Sequence, residues 1–197
     1  MRSAILLALL APLAASAQTT AADSVFAHEV RHRLELDQAV RALPDARYPS
    51  GTPRDSMDAN TASLWLTVDL LNAAWARRVV AERGWPKKSD VGTRAAVEFF
   101  VLVQHADLPT QQAMLPLMEA AVAEGEADGS ELAYLTDRVR TLEGRPQVYG
   151  TQYRMVAGEP VPFPIENEAD VDTRRAAVGL EPLEAYLDSA RNPHHHH

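Results

Sequence analysis

Phe99-Phe100-Val101-Leu102-Val103-Gln104-His105-Ala106-Asp107 is an apolar run that stops abruptly at a glutamine, a histidine and an aspartate. It is too short to cross a membrane, which takes roughly 20 apolar residues, and Glu98 and Gln104 flank it. It reads as the second half of a buried helix, with Ser89 or Asp90 as N-cap and Ala106 near its end. Apart from His28, His32 and the terminal His194 to His197, the chain has no other histidine than His105. A function assigned to the body of the protein must use that imidazole or explain why it is inert.

Apolar residues recur at helical spacing on both sides of this run. Ser24 to Leu43 carries Val25, Phe26, Val30, Leu34, Leu36, Ala39, Val40 and Leu43, and Pro44 is expected to end that first helix. A loop with Pro49, Gly51 and Pro53 follows. Met57 to Arg83 reads as a long second helix with Leu64, Val68, Leu71, Trp75, Val79 and Val80 facing inward and Gly84 as its stop. Beyond the central run, a fourth helix follows Pro109 with Pro116 as a bend or its true start. A fifth spans about Ser130 to Leu142. Gln147 to Ile165, with alternating apolar residues, Gly158 and three prolines, suits a β-hairpin or extended arm. Val171 to Val178 and Leu183 to Leu187 read as two short closing helices. The expected fold class is mainly α, a single-domain multi-helix bundle with one small β excursion.

The chain has 197 residues, 46% of them hydrophobic, enough for one core and too few for two comfortable ones. Met1 to Ala17 has the form of a secretory signal peptide: Arg2, the apolar stretch Ile5 to Leu13, then Ala15-Ser16-Ala17. The mature domain is therefore expected at residues 18–193, periplasmic or secreted, without membrane insertion after cleavage, and residues 194–197 resemble a tag. With no cysteine there is no disulfide, so packing alone must hold the fold. The net charge is −8, with Lys87 and Lys88 the two lysines. That balance argues against nucleic acid and anionic membrane surfaces, which need a basic footprint.

His28-Glu29-Val30-Arg31-His32 is a literal HExxH, which on a helix places two imidazoles on one face for zinc with the glutamate as general base. Arg31 and Arg33 occupy positions that such a buried helix keeps uncharged. Glu35 and Gln38 stand where the longer metzincin form needs glycine and histidine. The zinc peptidase reading is accordingly the weakest of three, and no metal or cofactor is assigned. His105 is the better candidate, as general acid or base or as anion binder, against the alternative of a capping histidine bonded inside the core. Asp137 and Arg138 are neighbours on the fifth helix and point in different directions, so one of them at most faces a given pocket easily. Asp37-Gln38-x-x-Arg41 and Asp69-x-x-Asn72 add polar groups beside apolar faces. Gln147-x-Tyr149-Gly150-Thr151-Gln152 could close over a ligand, with Gln147 and Gln152 reading polar groups and Tyr149 stacking, or satisfy its own backbone.

Seven patterns occur in order: Asp37-Gln38-x-x-Arg41, Asp69-x-x-Asn72, Gly84-Trp85-Pro86, Gln104-His105-Ala106-Asp107, Leu132-Ala133-Tyr134-Leu135-x-Asp137-Arg138-Val139, Gly144-x-Pro146-Gln147-x-Tyr149-Gly150-Thr151-Gln152 and Val171-Asp172-x-Arg174-Arg175. From about Leu36 to Tyr186 the chain thereby resembles a bacterial domain-of-unknown-function family (6624). The resemblance implies a predominantly helical fold and supplies no activity. It carries His105, Asp137, Arg138, Gln147, Tyr149 and Gln152 over as signature positions, and leaves the HExxH outside. Pro44 to Val68 matches no family pattern, which leaves room for an extended or additional helix there.

These readings converge on a polar pocket between helices with His105 at its centre and Asp137, Arg138 and the Gln147 to Gln152 loop around it. The catalytic candidates are His105, Asp137 and Arg138; the ligand-binding candidates are Asp37, Gln147, Tyr149 and Gln152. The reaction least demanding of other groups is hydrolysis by His-assisted activation of water, with Asp137 or Asp107 orienting the ring and Arg138 holding an anionic group. The alternative is a non-catalytic module of the cell envelope. The partner in either case is a small molecule or an envelope component.

Overall fold

A computed structural model describes residues 21–47 and 59–191 of the chain. The signal-like segment, most of the Asp45 to Ser56 loop, the first residues of the expected second helix and the terminal histidines lie outside the described residues. What is described is a mainly α single domain with one small sheet: α1 (Ala21–Arg47), α2 (Ala59–Arg83), α3 (Lys88–Val91), α4 (Thr93–Gln104), α5 (Leu108–Ala123), α6 (Gly129–Leu142), β1 (Tyr153–Val156), β2 (Glu159–Pro162), α7 (Val171–Ala177) and α8 (Leu183–Arg191). Among these residues no helix is long and apolar enough to cross a membrane.

The opening stretch is the hub. Helix α4 packs against α1, α2, α3, α5 and α6, and Phe99, Leu102 and Val103 are wholly buried. Phe99 meets Trp75 of α2 at 5.7 Å and, edge to face, Trp85 at 5.4 Å, while Phe26 of α1 stacks on Trp75 at 5.8 Å. Offset and edge contacts of this kind are the ones the ring quadrupoles favour. Met114 and Met118 of α5 and Leu135 and Val139 of α6 belong to the same core. Burying Phe99 alone stabilises the fold by about 2–3 kcal/mol.

Four local expectations change. The third helix is divided, because Gly92 at φ +83° breaks it into α3 and α4, a conformation open to glycine at no steric cost. Neither Ser89 nor Asp90 caps it: Lys87 stands at the N-cap of α3, and the Ser89 amide donates to Glu126. Helix α1 runs through Pro44 to Arg47. Proline has no N–H for the carbonyl four residues back, and the Val40 oxygen instead accepts the Trp65 indole N–H at 2.6 Å. Third, α2 is turned from its expected face. Thr61, Asn72, Ala73, Trp75, Ala76 and Val79 are buried, whereas Leu64 and Leu71 are exposed. Asp69 and Asn72 turn toward Arg41 and Arg33 of α1, which carries the two leucines outward. Finally, α5 begins at Leu108 and contains Pro116 within it.

The β excursion is the expected hairpin. Tyr153 pairs with Pro162 and Val156 with Glu159 across the Ala157-Gly158 turn, both of whose residues have positive φ, as a tight hairpin turn requires. Gln147 bridges to Ile165 below it, and α8 packs on β2.

Candidate functional site

The end of α4 is held by its neighbours before any chemistry is considered. His105 is the C-cap, its amide bonding back to the Leu102 carbonyl. Helix ends leave carbonyls without partners. Here the buried Gln111 side chain donates to the Gln104 and Ala106 oxygens at 3.1 and 2.8 Å. Asp107 starts the next helix as N-cap, accepting from the Thr110 amide at 3.1 Å. The His105 backbone is thus fixed on both sides.

The carboxylate that meets the His105 ring comes from α1. Asp37 Oδ2 lies 2.9 Å from His105 Nδ1. Asp37 and Arg41, four residues apart, share one face of α1. Arg41 Nε lies 3.1 to 3.2 Å from both Asp37 oxygens and 3.1 Å from His105 Nδ1. Arg41 Nη2 donates to Asp37 Oδ1 at 3.0 Å and to Asp69 Oδ1 of α2 at 2.6 Å. Gln38 donates to Asp37 Oδ2 at 2.9 Å. The Arg41 guanidinium also lies over Trp65, 5.6 Å from the ring centroid, the same indole that completes the hydrogen bonding of α1 at Val40.

Nδ1 cannot both donate to Asp37 and accept from Arg41. An unprotonated Nδ1 would set its lone pair against a carboxylate oxygen at 2.9 Å. With the proton on Nδ1 the ring donates to Asp37, Arg41 Nε still has Asp37 to donate to, and every group is satisfied. Nε2 then has no hydrogen-bond partner among the described residues. Burial raises the Asp37 pKa, but the hydrogen bonds and charges of His105 and Arg41 outweigh it and bring it below the ordinary aspartate value.

Beside this network is a cavity of about 450 Å³, in the size range of small-molecule sites. His105, Asp69 and Asp107 line it together with Ala62, Leu66 and Leu70 of α2, Leu108 and Leu142. Its wall is largely apolar, with one aspartate from α2, one at the start of α5, and the histidine at the end of α4.

The remaining expected site residues form two further groups. Asp137 is wholly buried and accepts the amides of Val148, Tyr149 and Thr151 and the Thr151 hydroxyl, at 2.7 to 3.2 Å. Gln147, equally buried, donates to the Gln152 and Phe163 carbonyls at 2.9 Å and accepts the Gln152 amide at 2.6 Å. Tyr149 passes its carbonyl to Arg175 at 2.8 Å; burial, then the Asp137 charge, push its phenol pKa up. Gln152 turns its side chain to Thr151. Gly150, at φ +69°, is packed so closely that a Cβ would stand 2.7 Å from Ile165. Asp137, Gln147, Tyr149 and Gln152 therefore assemble with each other, and no hydrogen bond or ion pair joins them to His105 or Asp37. Arg138, pointing away from Asp137, donates from Nε to Gln104 Oε1 at 2.7 Å, next to His105 in the chain.

Neither Asp137 nor Asp107 is the carboxylate on the imidazole. Asp37 holds that place, and Arg41 and Asp69 complete it. The i, i+4 spacing of Asp37 and Arg41 was the signal that tied those two together. On α1, His28 and His32 are exposed, and Glu29 pairs with Arg33 at 2.9 Å. No group of three potential ligands is placed to hold a metal among the described residues.

Fold and site together define a helical domain carrying an aspartate-supported histidine at the wall of an apolar cavity. The profile of the family of unknown function DUF6624 matches residues 26–193, and the chain belongs to that family. No curated protein and no solved structure matches it.

Proposed function

We propose that this protein is an exported hydrolase acting on a small amphipathic molecule, with His105 as general base and Asp37 as the group that orients it. The observation that carries this reading is the pairing of Asp37 with His105 Nδ1 beside a cavity that His105 itself lines. A neutral ring protonated on Nδ1 keeps its Nε2 lone pair for water. Nε2 takes a proton from that water, the water oxygen adds to the electrophilic centre of the substrate, and the imidazolium returns the proton to the leaving group. Asp37 steadies the ring and the positive charge it gains. The leucines of the cavity favour a substrate with an apolar body. The signal-like sequence at residues 1–17 supports a reaction in the periplasm or outside the cell.

The test is a panel of chromogenic esters and amides on the full chain, with His105→Asn and Asp37→Asn as controls. Both variants should remain folded and lose about 10²-fold or more in kcat/KM. Turnover that survives His105→Asn unchanged would remove the histidine from the mechanism.

A second reading has its own observation. Arg41 joins α1, α2 and the end of α4 through Asp37, Asp69 and His105, as a network fixing helix packing in a non-catalytic envelope module would. For that role His105→Ala should cost much stability and no activity.

A further inference from the structure

Six of the described arginines are buried or half-buried: Arg33, Arg41, Arg138, Arg140, Arg174 and Arg175. Five have partners suited to a cation. Arg33 pairs with Glu29, Arg41 with Asp37 and Asp69, and Arg140 with Glu166. Arg174 takes the carbonyls of Val148, Glu166 and Asn167, and Arg175 those of Tyr149 and Glu181 with the Tyr186 ring below it, its Nη2 alone without a hydrogen bond. Arg138 has one neutral amide oxygen, that of Gln104, and no carboxylate. Its terminal nitrogens have no protein partner among the described residues. Burying a cation without a counter-charge is costly, and burial together with the nearby Arg41 charge lowers the Arg138 pKa.

Gln104 supplies an independent sign. It is 7% exposed, and its Nε2 is buried with no hydrogen-bond partner. Arg138 Nε–H requires an acceptor, so it fixes Oε1 toward itself and leaves Nε2 as an unused donor. Arg138 thus holds unused charged donors, and the amide it fixes holds another, on the residue that precedes His105.

We propose that Arg138 and Gln104 form the binding subsite for the carboxylate of a small monoanionic ligand whose apolar body lies in the His105 cavity. A guanidinium and an amide N–H match the flat, two-oxygen shape of a carboxylate. Asp37 and Asp69 nearby disfavour a dianion such as phosphate. Arg138 stands one helical turn before Leu142, which lines the cavity, and residues four apart share a helix face, so a carboxylate held at Arg138 directs the ligand's apolar body toward the cavity. The inference rests on the hydrolase reading for the reaction, while its binding test stands apart from turnover.

The experiment is calorimetric titration and thermal melting of the full chain with hexanoate, hexanamide and inorganic phosphate at constant ionic strength, on wild type, Arg138→Met, Arg138→Lys and His105→Asn. Hexanoate should bind and raise the Tm of wild type and of His105→Asn, with hexanamide and phosphate weaker. Arg138→Met should bind hexanoate about tenfold more weakly or worse and, without ligand, melt no lower than wild type, since a purely structural arginine would leave it less stable. Should Arg138→Met fail to fold, Arg138→Lys, which keeps the charge without the planar fork, should fold and bind several-fold more weakly. Hexanoate acting no differently from hexanamide on wild type, or binding both Arg138 variants as tightly as wild type, overturns the subsite. Phosphate binding tighter than hexanoate overturns the carboxylate class. Hydrolysis persisting in His105→Asn while hexanoate still binds overturns the catalytic reading and leaves the subsite standing.

Discussion

Asp37 and Asp137 are both buried aspartates, 1% and 0% exposed, and their surroundings differ in kind. Asp137 accepts backbone amides of the Val148 to Thr151 segment and one hydroxyl from it. Its donors cannot move without unmaking the loop, and its carboxylate has no opening toward the cavity at His105. Asp37 instead accepts from three side chains, Gln38, Arg41 and His105, and the last of these faces a cavity with one ring nitrogen unengaged. Closed polar networks specify structure, whereas a network with an open, titratable end can do chemistry. The same contrast separates Gln147, fully bonded on both ends of its amide, from Gln104, bonded on one.

The contrast can be broken most forcefully at Asp137. Replacing it with alanine leaves the part-buried amides of Val148 and Tyr149 and the buried amide and hydroxyl of Thr151 without an acceptor, and should cost about 3–5 kcal/mol in urea unfolding. A loss below about 1 kcal/mol would show that the loop does not depend on this carboxylate.

Acid should sharpen the difference next. The Asp37 pKa is lowered in the folded state by His105 and Arg41. Its contribution is therefore complete above the ordinary aspartate pKa, about pH 4, and is lost as the pH falls through the lower folded value. Melting curves of Asp37→Asn should show a shallower loss of stability below about pH 4 than wild type. Equal slopes would remove Asp37 from the acid transition.

A smaller effect is expected where α1 and α2 meet at the open centre. Trp65→Phe deletes the N–H that serves the Val40 carbonyl above Pro44, and should cost about 1 kcal/mol. Pro44→Ala restores an amide at that position, so in its background the Trp65→Phe penalty should shrink. An unchanged penalty would separate the two residues.

Much of the scaffold could be read from spacing. The Phe99 to Val103 run gave the central buried helix, the apolar periodicity placed most helix bounds within a few residues, and Gly158 with its flanking alternation marked the hairpin. Periodicity was silent on Gly92, whose positive φ depends on how α3 and α4 pack. It also misread α2, where Leu64 and Leu71 look like core positions until Asp69 and Asn72 find partners on α1. His105 stood out because it is chemically rare in this chain. Its aspartate could not be chosen from sequence: Asp107 is nearer in the chain, while Asp37 is 68 residues away. Asp137 and the Gln147 to Gln152 loop look like site residues because polar groups rich in hydrogen-bonding capacity suit a ligand and a backbone equally well.

The proposed chemistry depends on Asp37 holding the His105 proton on Nδ1 and leaving Nε2 free for water. Nitrogen-15 NMR of the imidazoles in protein lacking the terminal histidines, with His105 assigned by its loss in His105→Asn, measures this directly. Neutral His105 is expected to be the Nδ1–H tautomer, with an unprotonated Nε2. A neutral ring protonated on Nε2, with Nδ1 accepting from Arg41, would contradict it.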